Sequence, residues 1–348
     1  MQVKRRMAAF LGAGLMCCAL AAGCLGCSSD GGAADTPAKP EAQQQAKEID
    51  FSTAEFTTLA EDPAPLTSLR ALTSSDDGKY LYAGYIKEAP KGVYKIDAAT
   101  GEKVWHFQEE DFGYDKGVAV DSRGYVYAGS TIRAQDGAVR VYILDDEDGS
   151  LVNTIEEPII GKVGVNGVEV LEKDDKKYLY MITNYGPNRV YCYDVTDVQN
   201  PVPSDSFGVD GYVDLKALSG NDAVEANYLA VTDDGTVYLT ALTGNGSKSD
   251  AVLKLSADGK SIEKVADVPE GYGICIANGY MLVSTYLDAD STVEVLKMSD
   301  FSKVASIGNM GDNTFYSAVT VASGKIYIAD QGYKEGSRIL VSNEIEGL

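Results

Sequence analysis

The chain has 348 residues but only one histidine, and that scarcity removes much of the common enzyme chemistry at once. His106 sits beside the single tryptophan, Trp105, in "KVWHF". The pattern places this segment on the outer edge of a sheet, away from where catalytic groups gather. No Ser-His-Asp, Cys-His or multi-histidine metal site can be built there. Cysteine is also short. Cys17, Cys18, Cys24 and Cys27 crowd at the N-terminus, which leaves Cys192 and Cys275. Two distant thiols in strand-like runs make no disulfide framework and read as separately buried side chains. Positive charge is the third shortage. Lysine and arginine number 30 against 52 aspartates and glutamates, a net charge of −22. That balance excludes nucleic acid and anionic lipid surfaces as partners. Helical periodicity is almost absent, and no apolar run reaches the roughly 20 residues of a spanning helix.

What is present begins with "MQVKRRMAAFLGAGLMCCALAAGC". A basic start, a short apolar run and small residues before Cys24 are the parts of an export signal. The stretch resembles the bacterial lipoprotein signal, with "LAAGC" in the place of its lipobox. That resemblance implies a signal peptide over 1–23, cleavage before Cys24 and diacylation of the Cys24 thiol. Residues 24–48, rich in Gly, Ala, Pro and Gln, cannot bury enough to order themselves and read as a flexible tether. The folded domain is expected over 49–348, held outside the cytoplasm at a bacterial membrane through its lipid.

Within that domain one pattern recurs. "LRALTSSDDGKYLYAGY" (69–85), "GVAVDSRGYVYAGS" (117–130), "GVEVLEKDDKKYLYMITN" (167–184), "YLAVTDDGTVYLTAL" (228–242), "GICIANGYMLVSTY" (273–286) and "AVTVASGKIYIADQ" (318–331) each hold two alternating strands around a tight turn. Gly, Asn and Asp at those turns tolerate the positive φ of a hairpin. A third strand follows every hairpin, and a fourth, more polar one follows five of them. Four-strand units of roughly 45–55 residues, none able to bury both faces alone, predict an all-β fold: a six-bladed β-propeller of four-stranded blades. The sixth unit ends one strand short at "SRILVS". The segment "DFSTAEFTTLAE" (50–61) is the strand that would complete it, closing the ring and hiding both open edges.

The blades are similar to those of the NHL-like and quinoprotein-like propellers. One copy carries the quinoprotein pattern closely: "YKIDAATGEKVWHF" (94–107), with Asp97, Thr100, Gly101 and Trp105. The other copies lose the tryptophan. The resemblance implies architecture and no activity. "LDDEDGS" (144–150) looks like a calcium loop but lacks the distal glutamate, and it reads as the turn equivalent to "IDAATGE".

Blade connections and the loops after second strands share one face, and that face is rich in tyrosine interleaved with Asp, Asn and Glu. Tyr114, Asp115, Asn166, Tyr185, Asn227, Tyr272, Tyr286, Tyr316 and Asp330 are its candidate ligand-binding residues. Aromatic rims with amide and carboxylate partners suit sugar rings, cations or peptides. The expectation is a binding module for a small ligand, glycan or protein partner, with no catalytic residue and no cofactor. The alternative is a metal-dependent hydrolase or lactonase whose divalent ion would be held by Asn166, Glu225, Asn227 and Asp330. A third reading is a scaffold subunit of an envelope complex.

Overall fold

All six hairpins form, and each becomes the inner half of a four-stranded antiparallel blade. The structure, a computed structural model, describes residues 48–61, 69–86, 92–108, 114–131, 138–158, 164–184, 186–244, 246, 248–286, 290–311, 314–332 and 336–348. At 114–116, 131, 138 and 158 it describes the backbone alone. The signal segment, Cys24 and the tether up to residue 47 lie outside the described residues.

The first strand, β1 (Phe56–Glu61), is set aside for the last blade. Blade one is β2 (Leu69–Ser74), β3 (Tyr80–Tyr85), β4 (Gly92–Asp97) and β5 (Lys103–Phe107). Blade two is β6 (Tyr114–Val120), β7 (Tyr125–Thr131), β8 (Ala138–Asp145) and β9 (Leu151–Pro158). Blade three holds β10 (Gly164–Lys173), β11 (Lys176–Asn184), β12 (Arg189–Asp194) and a divided outer edge. There β13 (Val202–Pro203) pairs one end of β12 and β14 (Tyr212–Asp214) pairs the other. A one-turn helix, α1 (Leu215–Ser219), leads on to blade four: β15 (Glu225–Val231), β16 (Val237–Leu242), β17 (Ala251–Leu255) and β18 (Ile262–Asp267). Blade five is β19 (Gly271–Ala277), β20 (Tyr280–Thr285), β21 (Val293–Lys297) and β22 (Lys303–Ile307). Blade six is β23 (Tyr316–Ala322), β24 (Lys325–Asp330) and β25 (Arg338–Ser342), completed by β1.

The closure is antiparallel, from Phe56 opposite Ser342 to Glu61 opposite Arg338. Asn343 extends it, accepting from the Glu55 amide at 2.7 Å. The strand is shorter than 50–61 because Phe51–Thr53 form a single helical turn, capped by the Asp50 carboxylate. Phe51 is buried edge-on against Tyr280 of blade five, with ring centroids 5.0 Å apart. Burial of one apolar ring overrides the extended reading of that segment.

Inner strands neighbour one another around the ring, and β2 meets β23 to complete the circle. Each of the six apolar clusters lies between two adjacent blades. Even the cluster between blades one and two buries Val93, Val126 and Leu144 completely. At about 1.5–3 kcal/mol for each such side chain, these seams outweigh the exposed ion pairs.

The seams have a second device. The turn after a third strand can receive the outer strand of the preceding blade, as in blades two and three. In blade two this is the "LDDEDGS" turn, and it is structural, not a calcium loop. The Trp105 indole donates to the Asp146 carbonyl at 2.8 Å. A Cβ on Gly149 (φ 74°) would stand 2.8 Å from the indole, so only glycine leaves room. Lys95 and the Tyr82 hydroxyl reach the Asp146 carboxylate at 2.8 and 2.6 Å. His106, on the outer strand as read, stacks flat on Tyr94 at 4.0 Å. Cys192 and Cys275 are both free thiols.

Candidate ligand pocket at the channel mouth

Each inner strand slips register near its start, and the slips occur at equivalent places. They fall between Leu69 and Ala71, Asp115 and Gly117, Val165 and Gly167, Ala226 and Tyr228, Gly271 and Ile274, and Tyr316 and Ala318. The skipped residues are therefore Arg70, Lys116, Asn166, Asn227, Tyr272 (with Gly273) and Ser317. A bulge turns one residue out of the regular alternation. Here it does so six times around one end of the central channel.

Immediately inside the bulges the strands crowd together. A Cβ on Gly117 would come within 2.7 Å of the Val168 amide, and one on Gly273 within 2.5 Å of the Ala318 Cα. Small residues are obligatory there, with one exception. Tyr228 of blade four is buried, and its hydroxyl donates 2.7 Å to the carbonyl of Arg70 on blade one, the opposite side of the ring. It bridges the channel as a crossbar. The channel that the six inner strands enclose has a volume of about 140 Å³.

Beside the crossbar lies a pocket of about 480 Å³. Arg70, Asn227 and Tyr272 enter it from the bulges. Glu225 enters it from the start of β15, Glu270 from the connection between blades four and five, and Lys248, Ser249 and Tyr286 from loops after second strands. The aromatic wall is continuous. Tyr228 and Tyr272 have centroids 4.9 Å apart, Tyr272 and Tyr286 stack at 5.1 Å, and Tyr286 meets Phe315 at 5.1 Å.

The Arg70 guanidinium lies against that wall, 5.8 Å from the Tyr272 centroid and 5.2 Å from that of Tyr286. It donates to the Tyr272 hydroxyl at 3.3 Å and to the Tyr286 hydroxyl at 3.5 Å, and its buried Nε has no acceptor. Tyr286 passes a hydrogen bond on to Gln331 at 3.1 Å. Lys248 is matched to Glu270 at 2.5 Å. Asn227 donates to Ser249 at 2.6 Å.

The structure thus brings together Tyr272, Tyr286, Asn227 and Glu225 of the residues singled out from sequence. Asn166 holds an equivalent bulge position but is wholly buried, and neither its amide oxygen nor its amide nitrogen has a partner among the described residues. Two expectations are corrected. Tyr316 is fully buried and donates to the Gly308 carbonyl. It occupies the residue before the bulge, which points into the seam between blades. Asp330 is also buried. It accepts from the Phe315 and Gly332 amides at 2.9 and 3.1 Å and from Arg338 Nε at 2.8 Å, so its carboxylate is spent on the fold. Of the four residues named for a divalent ion, Glu225 and Asn227 line the pocket. Among the described residues no three of His, Cys, Asp and Glu cluster closely enough to hold a metal ion. Tyr185 and the side chains of Tyr114 and Asp115 lie outside the described residues. Sequence reasoning missed Arg70. Its signal was a lone charge in the apolar "LRAL", in register with Asn166, Asn227 and Tyr272.

Deeper in the channel, Glu169 carries a carboxyl that burial pushes up to about 7. Burial, with Glu169 nearby, pushes the Cys275 thiol up to about 12.

No family model matches the chain, and no curated protein matches it in sequence. Its fold is that of known β-propellers. The chain is similar to the β-propeller domain of Cps50 (Swd1) from Myceliophteria thermophila, at 12% identity and a TM-score of 0.52. The match covers 82% of this chain and 99% of that one. In all, 1177 solved chains match, and a shape shared so widely assigns no ligand.

Proposed function

We propose that this protein is a binding module: a β-propeller fixed to the outer side of a bacterial membrane through acylated Cys24. Its tether, residues 24–48, holds the domain off the membrane, and the channel mouth takes a soluble ligand. One observation carries the binding reading. The bulges of blades one, four and five meet in a single pocket lined by two stacked tyrosines and a cation that no described carboxylate pairs. Pockets of a few hundred Å³, mostly apolar with a few convergent polar groups, are where small ligands bind. The crossbar Tyr228 supports the same reading, because it spans the channel between blades four and one and packs its ring on Tyr272 of the pocket wall.

The anchor rests on "LAAGC" and its flanks. Two or more acyl chains on one residue hold a protein stably where a single chain does not. The tests are independent. Cys24→Ala should leave an uncleaved precursor without lipid label, and a labelled mutant would move the anchor to Cys27. On a glycan and small-molecule array, Tyr272→Ala should weaken capture by about 2 kcal/mol with little change in melting temperature. A Tyr272→Ala protein that captures the same compounds as wild type would take the pocket out of the function.

A further inference from the structure

The pocket holds a guanidinium that the protein leaves incompletely satisfied. Arginine offers five N–H donors. For Arg70 the described residues supply two phenolic acceptors, at 3.3 and 3.5 Å, and no carboxylate. A cation withdrawn from water without a counter-ion is costly, and natural proteins seldom keep one. This chain carries 52 acidic residues, so counter-ions are not scarce. Elsewhere they are applied freely: Lys95 meets Asp146, Arg123 meets Asp121 at 2.6 Å and Arg338 meets Asp330 at 2.8 Å. Among the described residues Arg70 stands apart, supported by the faces and hydroxyls of two tyrosines and by no carboxylate.

The remaining charges narrow what would satisfy it. Glu270 is neutralised by Lys248. Glu225 lines the pocket and pairs with no described cation. Among the described residues the pocket therefore carries one open positive and one open negative charge. A dianion such as phosphate would be repelled by Glu225. A single carboxylate with hydrogen-bond donors at its far end would be welcomed by both. The stacked pair Tyr272 and Tyr286 adds a flat surface on which a ring can lie.

We propose that the pocket takes a ring-bearing monocarboxylate, its carboxylate on Arg70, its ring against Tyr272 and Tyr286, and its hydroxyl or ammonium donors toward Glu225. This rests on the binding-module reading and names its ligand class. Two sources share the chemistry, a sugar acid and an aromatic amino acid.

The experiment uses the intact chain and two matched probe pairs: glucuronate with glucose, and phenylalanine with phenylalaninamide. Binding is read by saturation-transfer NMR and by calorimetry. At least one acid should bind, at least tenfold tighter than its neutral or amide partner, and which acid does so identifies the source. Arg70→Gln should erase that preference and Arg70→Lys should restore part of it, with melting curves confirming that both are folded. If Arg70→Gln does not fold, Arg70→Lys alone carries the test, since a shifted planar fork should still cost severalfold in acid binding. Equal binding of acid and partner, or an acid preference that survives at Arg70→Gln, overturns the proposal. If phenylalaninamide binds, is lost in Tyr272→Ala and ignores Arg70→Gln, the pocket stands as a binding site and the carboxylate reading falls. If no probe binds, both fall.

Discussion

Several cations in this molecule lie against tyrosine rings, and two of them, Lys95 and Arg70, have been treated in opposite ways. Lys95, in the seam between blades one and two, lies 3.9 Å from the Tyr80 ring centroid and 6.0 Å from that of Tyr82. Asp146 meets it twice, with its carboxylate at 2.8 Å and its carbonyl at 3.0 Å. The Tyr82 hydroxyl and the Trp105 indole complete the cluster. Arg70 has a similar aromatic setting but no acid among the described residues. An aromatic cage around a cation is thus not diagnostic by itself. What separates a structural joint from a site is whether the last partner comes from the chain.

The largest test of that contrast is Asp146→Ala. It strands Lys95 inside a seam and removes the acceptor from Tyr82. Breaking one half of a buried pair should cost about 3–5 kcal/mol, read from urea denaturation. Ligand capture at the channel mouth should be unchanged below the unfolding transition. A loss under 1 kcal/mol would mean that the seam does not depend on the pair.

The next concerns Glu169, a half-buried carboxyl in the channel with no described cation beside it. Burial raises its carboxyl to about 7 in the folded chain. Between the ordinary glutamate range and pH 7 the folded state therefore holds more protons than the unfolded one. Stability should fall as pH rises through that window and then level off. Glu169→Gln should flatten this part of the profile and leave the mutant more stable above pH 7, on the order of 1–3 kcal/mol. Parallel stability–pH curves for mutant and wild type would show that Glu169 is well solvated.

The smallest effect is expected at Arg70. Arg70→Gln deletes a charge that no described acid balances, so stability should stay within about 1 kcal/mol of wild type. A loss as large as that of Asp146→Ala would make Arg70 a second structural joint and erase the contrast.

The six-blade ring and its seal were legible because hairpin turns and period-two runs are local signals. Trp105 marked its seam for the same reason. What escaped depended on register. Tyr272 and Tyr316 both open an inner strand after a blade connection and read alike. Yet Tyr272 is the bulged residue and Tyr316 is the one before it, and a single-residue offset reverses the face. One therefore lines a pocket while the other is sealed in a core. Asp330 misled differently. Its position at the end of β24 was right, but Arg338 on the neighbouring strand claims it, and cross-strand pairing cannot be read from one strand. The divided edge of blade three had no alternating run to announce it.

The seal of blade six also sets an order of events. β1 is among the first strands made, and its partner β25 begins only at Arg338. A growing chain can finish the three inner strands of blade one early, but it cannot fasten the ring until residue 342 has emerged. Until then β1 is an unclaimed edge, and the circle is an open arc with two loose ends. Maturation therefore ends in one late latching step, and a protease or chaperone would meet the chain in its open form for nearly the whole time it takes to make.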